Sequence, residues 1–209
     1  MKLGAERLIY PPVSILILLL VAGISNAGVI PGCQPLSNSS ETYLLNADTS
    51  TTTDCFTFTD SNVTLDCQGY TITGDGGDSF AIAVSKSGIT IKNCNARNFT
   101  YGAYFSVVDN SMIQYNNITF TTEGLHLIVV NNLTASDNII NKSTSYGIYS
   151  EKSTANEFSR NNITNFFKGV YFKESNSSYI LADTIMGNST TGLTVGIYLE
   201  SSYANVISQ

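Results

Sequence analysis

Residues 138–172 read NIINKSTSYGIYSEKSTANEFSRNNITNFFKGVYF, and that stretch says nearly the same thing twice. Gly147-Ile148-Tyr149 returns as Gly169-Val170-Tyr171, and Asn138-Ile139 returns as Asn162-Ile163. Moving outward, the first element recurs as Gly102-Ala103-Tyr104, Gly124-Leu125-His126 and Gly196-Ile197-Tyr198, at spacings of 22, 23, 22 and 27 residues. Ala81-Ile82-Ala83 lies 21 residues before the first copy and fits the series. The second element recurs as Asn95-Ala96, Asn117-Ile118 and Thr184-Ile185. Glu151 to Arg160 also matches Glu200 to Gln209 at an offset of 49, about two repeats. A fixed period near 22, built from short alternating apolar and polar runs, is the mark of a solenoid of strands. In Gly-Ile-Tyr-Leu the Ile and Leu face one way and the Tyr the other. One such coil cannot bury its apolar face alone, but a stack can, with equivalent residues about 4.8 Å apart. The expected fold is therefore all-β, a parallel β-helix of about six coils of roughly 22 residues. Leucine-rich repeats share the period but need an L-x-x-L-x-L pattern that is absent, and a propeller needs a longer period.

The composition agrees. Of 209 residues only 12% are charged, while 21 Asn, 25 Ser and 23 Thr make up a third of the chain. Helix-surface residues are scarce and β-branched and aromatic ones plentiful, which excludes an all-α fold. The net charge is −6 with no basic run, so the chain lacks the electrostatic footprint of a nucleic-acid binder. Lys2 and Arg7 precede an apolar run from Val13 to Ile24, and Ser25-Asn26-Ala27 supplies small residues before a cut after Ala27. That layout predicts a signal peptide over 1–27 and a secreted or cell-surface protein that meets a membrane only through this segment. The run is too short to span a bilayer. A cap is expected over 28–60 and the β-helix over 61–209, with a core stack of Ile82, Ala103, Leu125, Ile148, Val170 and Ile197. Because the final segment tracks Glu151 to Arg160 and stops where Asn161-Asn162-Ile163 would follow, the solenoid is expected to be truncated at its C-terminal end.

The pattern Gly-Ile-Tyr, then Ser or Asn, Asn-x-Ile and Asn-Asn-Ile resembles the right-handed parallel β-helix repeat family. That family includes carbohydrate-active enzymes, the NosD periplasmic accessory proteins and many exported surface proteins. Val63-Thr-Leu-Asp-Cys-Gln-Gly-Tyr-Thr-Ile-Thr-Gly74 resembles the segment that opens the first full coil of such exported proteins. The resemblance spans about Cys33 to Gln209 and speaks to fold, since fold does not fix function.

Four cysteines in an exported chain imply two disulfides, with three pairings possible. Cys33–Cys55 would close the cap, and Cys67–Cys94 would join successive coils, because both lie near one slot after Leu65 and Ile91. Acidic residues are scattered. Glu151, Glu174 and Glu200 share a register that reads as a solvated turn edge. No carboxylate pair of the kind glycoside hydrolysis needs stands out. Gly74-Asp75-Gly76-Gly77-Asp78 offers Asp75 and Asp78 as calcium candidates, but calcium takes six to eight oxygens and one turn supplies few. No cofactor and no metal site is expected. Asn95, Asn117, Asn138 and Asn162 are expected to form an internal ladder of stacked amides. Nine N-x-S/T sequons, Asn38, Asn62, Asn98 and Asn132 among them, mark a possible glycoprotein. One position per coil collects Tyr104, His126, Tyr149, Tyr171 and Tyr198 in an outward aromatic row, a flat platform suited to sugar rings. The functional expectation is an exported, non-enzymatic surface module that contacts a polysaccharide, a cell-surface glycan or a partner. The alternatives are a fragment of a polysaccharide lyase, epimerase or hydrolase, and a NosD-like periplasmic accessory protein.

Overall fold

The computed structural model describes residues 27–188 and 194–209, so the expected signal segment up to Asn26 lies outside the described residues. The described chain is a parallel β-helix, an all-β solenoid with no helix among these residues. Each turn lays strand on three faces. The first face stacks nine parallel strands, beginning with Ala27–Ile30 and Thr42–Leu45 and ending with Tyr179–Leu181 and Val206–Ser208. From Thr64–Asp66 onward it holds seven rungs, one more than the repeat count implied. The second and third faces share long strands. Asn117–Asn131, 15 residues, pairs with Asn95–Arg97 over its first three residues and with Tyr101–Asp109 over the rest. Ile139–Glu151 and Asn162–Lys173 repeat that course. Residues 28–60 carry further strands in the same sheets.

Alternation fills the interior. Leu65, Ile91, Ile113, Ala135, Phe158 and Ile180 form the inward row of the first face, and Ile72, Ala96, Ile118, Ile140 and Ile163 that of the second. The third face contributes Ile82, Ala103, Leu125, Ile148 and Val170, all buried, with Ile197 packed against them. Where small Ala135 leaves room, Phe158 of the next rung fills it and meets Phe172 at 5.5 Å. Single residues in the left-handed conformation turn the corners, as with Asn98, Phe120, Lys142 and Asn165 at the second. Asn suits that conformation, and Asn62, Asn93, Asn98, Asn110, Asn132 and Asn165 adopt it.

Disulfides join Cys33 to Cys55 and Cys67 to Cys94. The second takes the place of an amide at the end of a buried ladder. There the Cys94 N–H donates to Asn116 Oδ1, the Asn116 N–H to Asn138 Oδ1, the Asn138 N–H to Asn161 Oδ1 and the Asn161 N–H to Asp183 Oδ1. The side-chain amides of Asn116, Asn138 and Asn161 also donate to backbone carbonyls of the preceding turn. Of the expected ladder only Asn138 belongs to it. Asn95, Asn117 and Asn162 lie one residue further on, in the outward row of the second face. In Asn-Asn-Ile the Ile points in, so the second Asn points out and the first turns inward at the corner. Ile139 replaces that second Asn, which hides the true register.

Candidate functional site

The third face is the chemically richest surface. Its strands set Tyr104, His126, Tyr149, Tyr171 and Tyr198 in one register, as the repeat implied. Successive ring centroids are 5.1, 4.9, 5.3 and 5.1 Å apart. The rings do not form a flat platform. Interplanar angles run from 26° to 75°, and stacking along the solenoid axis uses the ring faces on one another, leaving edges and hydroxyls for a ligand. Tyr171 is buried, Tyr104, His126 and Tyr149 are half-buried, and Tyr198 on the last rung is 40% exposed.

A second row, which the sequence reading missed, lies beside the first: Phe80, Tyr101, Glu123, Tyr146 and Lys168. These are the residues three before each row member, and strict alternation turns them inward. The glycine between the two rows removes that constraint. A Cβ on Gly124 would sit 2.4 Å from Ile140 Cγ2 and 2.5 Å from the Gly147 carbonyl, so only glycine lets the strand pass this close to its neighbours. Ladder pairing skips this position, and Glu123 and Leu125 both regain register around it. The available signal was the residue preceding each repeated glycine.

Polar groups of this face are tied to one another. His126 Nδ1–H donates to Glu123 Oε2 at 2.6 Å. The Tyr149 hydroxyl donates to Glu151 at 2.7 Å, and Glu151 also accepts from Lys173 at 3.1 Å. The Tyr171 hydroxyl donates to Glu200. The shared register is Glu151, Lys173, Glu200, with Glu174 one residue on at a corner, so the expected solvated acidic edge is instead an alternating-charge row that holds the Tyr hydroxyls. Burial and the Glu151 contact push the Tyr149 phenol above its ordinary range, and the Glu200 hydrogen bond and burial do the same for Tyr171. The Tyr149 and Lys173 bonds hold the Glu151 carboxyl below the usual range. Lys168 rests over Tyr171 and Tyr198, 4.0 and 4.3 Å from the ring centroids.

Away from this face, Asp75 Oδ1 accepts the Gly77 N–H at 2.9 Å in a turn where Gly76 takes φ +85°. Asp78 adds a charge near Tyr101. No cluster of three or more His, Cys, Asp or Glu able to hold a metal occurs among the described residues.

Residues 39–209 match the model of a protein family described as NosD, periplasmic copper-binding protein. No curated protein matches the chain. Among solved structures, the enzymatically active domain of bacteriophage CBA120 tailspike protein 2 is similar at 12% identity, TM-score 0.61, over 79% of this chain and 27% of that one. A double mutant of the periplasmic alginate epimerase AlgG is similar at 12% identity, TM-score 0.51, over 86% of this chain and 61% of that one. The chain thus spans less than two thirds of either structure, and these likenesses concern the fold. The copper of the family description finds no matching donors in the described residues. All four cysteines are in disulfides, the single histidine is bound through Nδ1 to Glu123, and Met112 and Met186 lie on different faces.

Proposed function

The chain belongs to the NosD family of periplasmic β-helix proteins, and from that premise we propose that it is an exported, non-enzymatic module whose third face contacts a carbohydrate or a protein partner. The observation that carries this reading is the continuous double row on that face, in which Glu123, Glu151 and Glu200 are already paired, two of them with the Tyr149 and Tyr171 hydroxyls. Hydrolysis of a glycosidic bond needs two carboxyls free to act on it from opposite sides. Here Glu123, Glu151 and Glu200 instead fix the orientation of His126, Tyr149 and Tyr171, which suits a rigid recognition surface. Aromatic edges with fixed hydroxyls, amphipathic along their whole length, match the alternating polar and apolar surface of a glycan chain. The signal-peptide layout supports export, and a secreted or cell-surface location follows from it.

A second reading, a fragment of a polysaccharide-active enzyme, is favoured by one feature. The Glu123–His126 pair leaves the other imidazole nitrogen free to move a proton. A glycan array, run beside assays for reducing ends and unsaturated products, separates the two. We expect binding without turnover, weakened about tenfold by Tyr198→Ala. Turnover of any acidic polysaccharide would overturn the non-enzymatic reading.

A further inference from the structure

The corner between the first and second faces is turned on successive rungs by Gln68, Asn93, Tyr115, Asp137, Arg160 and Ala182, with φ between 52° and 57°. Asn and Asp tolerate that left-handed conformation, whereas a bulky aromatic is strained in it. Tyr115 is nevertheless there, 57% exposed, and it stacks on no other ring among the described residues. Unlike the row on the third face, its ring faces are not consumed by neighbours. Phe120 takes the same conformation at the second corner, but Lys142 Nζ lies over its ring at 4.3 Å, whereas Tyr115 keeps an exposed ring at a position where Asn would fit better.

Tyr115 forms one wall of a concavity of about 440 Å³ whose other lining residues are Asp66, Gln68, Gly69, Asn93 and Asn95. The polar lining is held in place. Asp66 Oδ1 accepts the Gln68 N–H and the Asn93 side-chain amide, each at 2.9 Å, while Oδ2 lies 3.3 Å from Lys92 Nζ. Asn95 donates its amide to the Gly69 carbonyl at 2.5 Å. The side-chain oxygens of Asn93 and Asn95 and the Gln68 amide take no part in those bonds. Asn93 and Asn95 present acceptors held in place by their own amide bonds, and the exposed Gln68 amide adds a donor that can adjust to a ligand beside the open aromatic ring.

We infer that this corner groove is a binding site for a neutral saccharide, with the C–H face of a pyranose on the Tyr115 ring and its hydroxyls on Gln68, Asn93 and Asn95. Planar amides bond adjacent hydroxyls, each of which both donates and accepts, and the aromatic ring supplies the apolar half of the contact. Asp66 sets the sign of the ligand. Its carboxylate is the charged side chain in the lining and is already paired with Lys92, so the lining offers a uronate or a sulfated sugar no unpaired cation. The inference rests on the reading of the chain as a carbohydrate-contacting module, but places a contact on a different corner from the third face.

The test is calorimetric titration of the full chain with cello-, laminari-, manno- and chito-oligosaccharides, and with oligogalacturonate as the anionic control. At least one neutral oligosaccharide should bind and oligogalacturonate should not. Tyr115→Asn, which places a favoured residue in the left-handed corner, should leave the melting temperature unchanged or raised and weaken binding by about tenfold. Tyr115→Phe should retain affinity, and Tyr198→Ala should leave this site intact. Neutral binding that survives Tyr115→Asn but is lost in Tyr198→Ala overturns the groove while leaving the third-face reading in place. The reverse pattern supports the groove and removes the third face from glycan contact. Failure of every neutral oligosaccharide to bind, or binding of oligogalacturonate alone, also overturns the inference.

Discussion

Asp183 occupies a position that the three preceding rungs give to asparagine. Its Oδ1 accepts the Asn161 N–H at 2.6 Å and the Asn161 side-chain amide at 3.1 Å, but its Oδ2 is buried with no hydrogen-bond partner. Burial pushes the carboxyl up to about 6 from an ordinary 3.8. An acid whose folded pKa is raised binds its proton more tightly in the native state. Its favourable contribution is therefore lost as pH climbs from about 4 through about 6, and the penalty is complete above that. Asp183→Asn removes the charge and restores the amide that Asn116, Asn138 and Asn161 send to a carbonyl of the preceding turn. We expect it to raise stability by about 1 kcal/mol at neutral pH, with a gain that shrinks as pH falls toward 4, read from melting curves across that range. An unchanged melting temperature at neutral pH would contradict this account. The ladder also marks a limit of what the sequence shows at this scale. Paired asparagines are visible in Asn116-Asn117 and Asn161-Asn162, but which of each pair turns inward depends on a corner dihedral that residue types do not record.

Strands on the third face depend on their glycines for close approach. Gly124→Ala would drive a Cβ into the Gly147 carbonyl and the Ile140 methyl, and a backbone atom cannot yield as a side chain can. A loss of about 2–3 kcal/mol is expected, measured by urea denaturation. The first rung shows how a larger residue is accommodated. Ala81 stands where later rungs have glycine, and the position that holds Ile118, Ile140 and Ile163 on later rungs holds the smaller Ala96 there. Ile140→Ala removes a buried core side chain and is costly by itself. Combined with Gly124→Ala, however, its loss should be smaller than the sum of the two single losses, because the methyl clash is relieved while the carbonyl contact persists. Strictly additive losses would show that the Ile140 methyl is irrelevant. The same glycines explain why one row was legible and its neighbour was not. Gly-φ-Tyr announces an inward φ and an outward Tyr through simple alternation, and Ala103, Leu125, Ile148 and Val170 are buried accordingly. Glu123 and Tyr146 face outward because the glycine after each, Gly124 and Gly147, breaks the alternation before the buried Leu125 and Ile148.

The solenoid as a whole was legible because its period repeats the same instruction on every rung, and an error on one rung is corrected by the next. The cysteine pairing was legible for the same reason, since Cys67 and Cys94 fall beside a position that later rungs fill with asparagine. The polar groove at Tyr115 was not, because its walls come from residues 66 to 115 and only the coiling brings them together. Each disulfide closes a loop of one rung, 22 and 27 residues apart, and each restricts the unfolded chain by roughly 3 kcal/mol. That arrangement has a mechanical meaning. Pulled by its two ends, a stack of parallel rungs peels one coil at a time, each releasing about 75 Å of slack as roughly 22 residues straighten. The stapled segments stay shut under load while the bonds remain intact. Single-molecule stretching should therefore show a sawtooth trace that grows longer by about 170 Å once a reductant opens both bridges. A trace of the same length with and without reductant would mean that the bridges bear no load, whereas the expected trace describes a spring with a fixed stop at its N-terminal end.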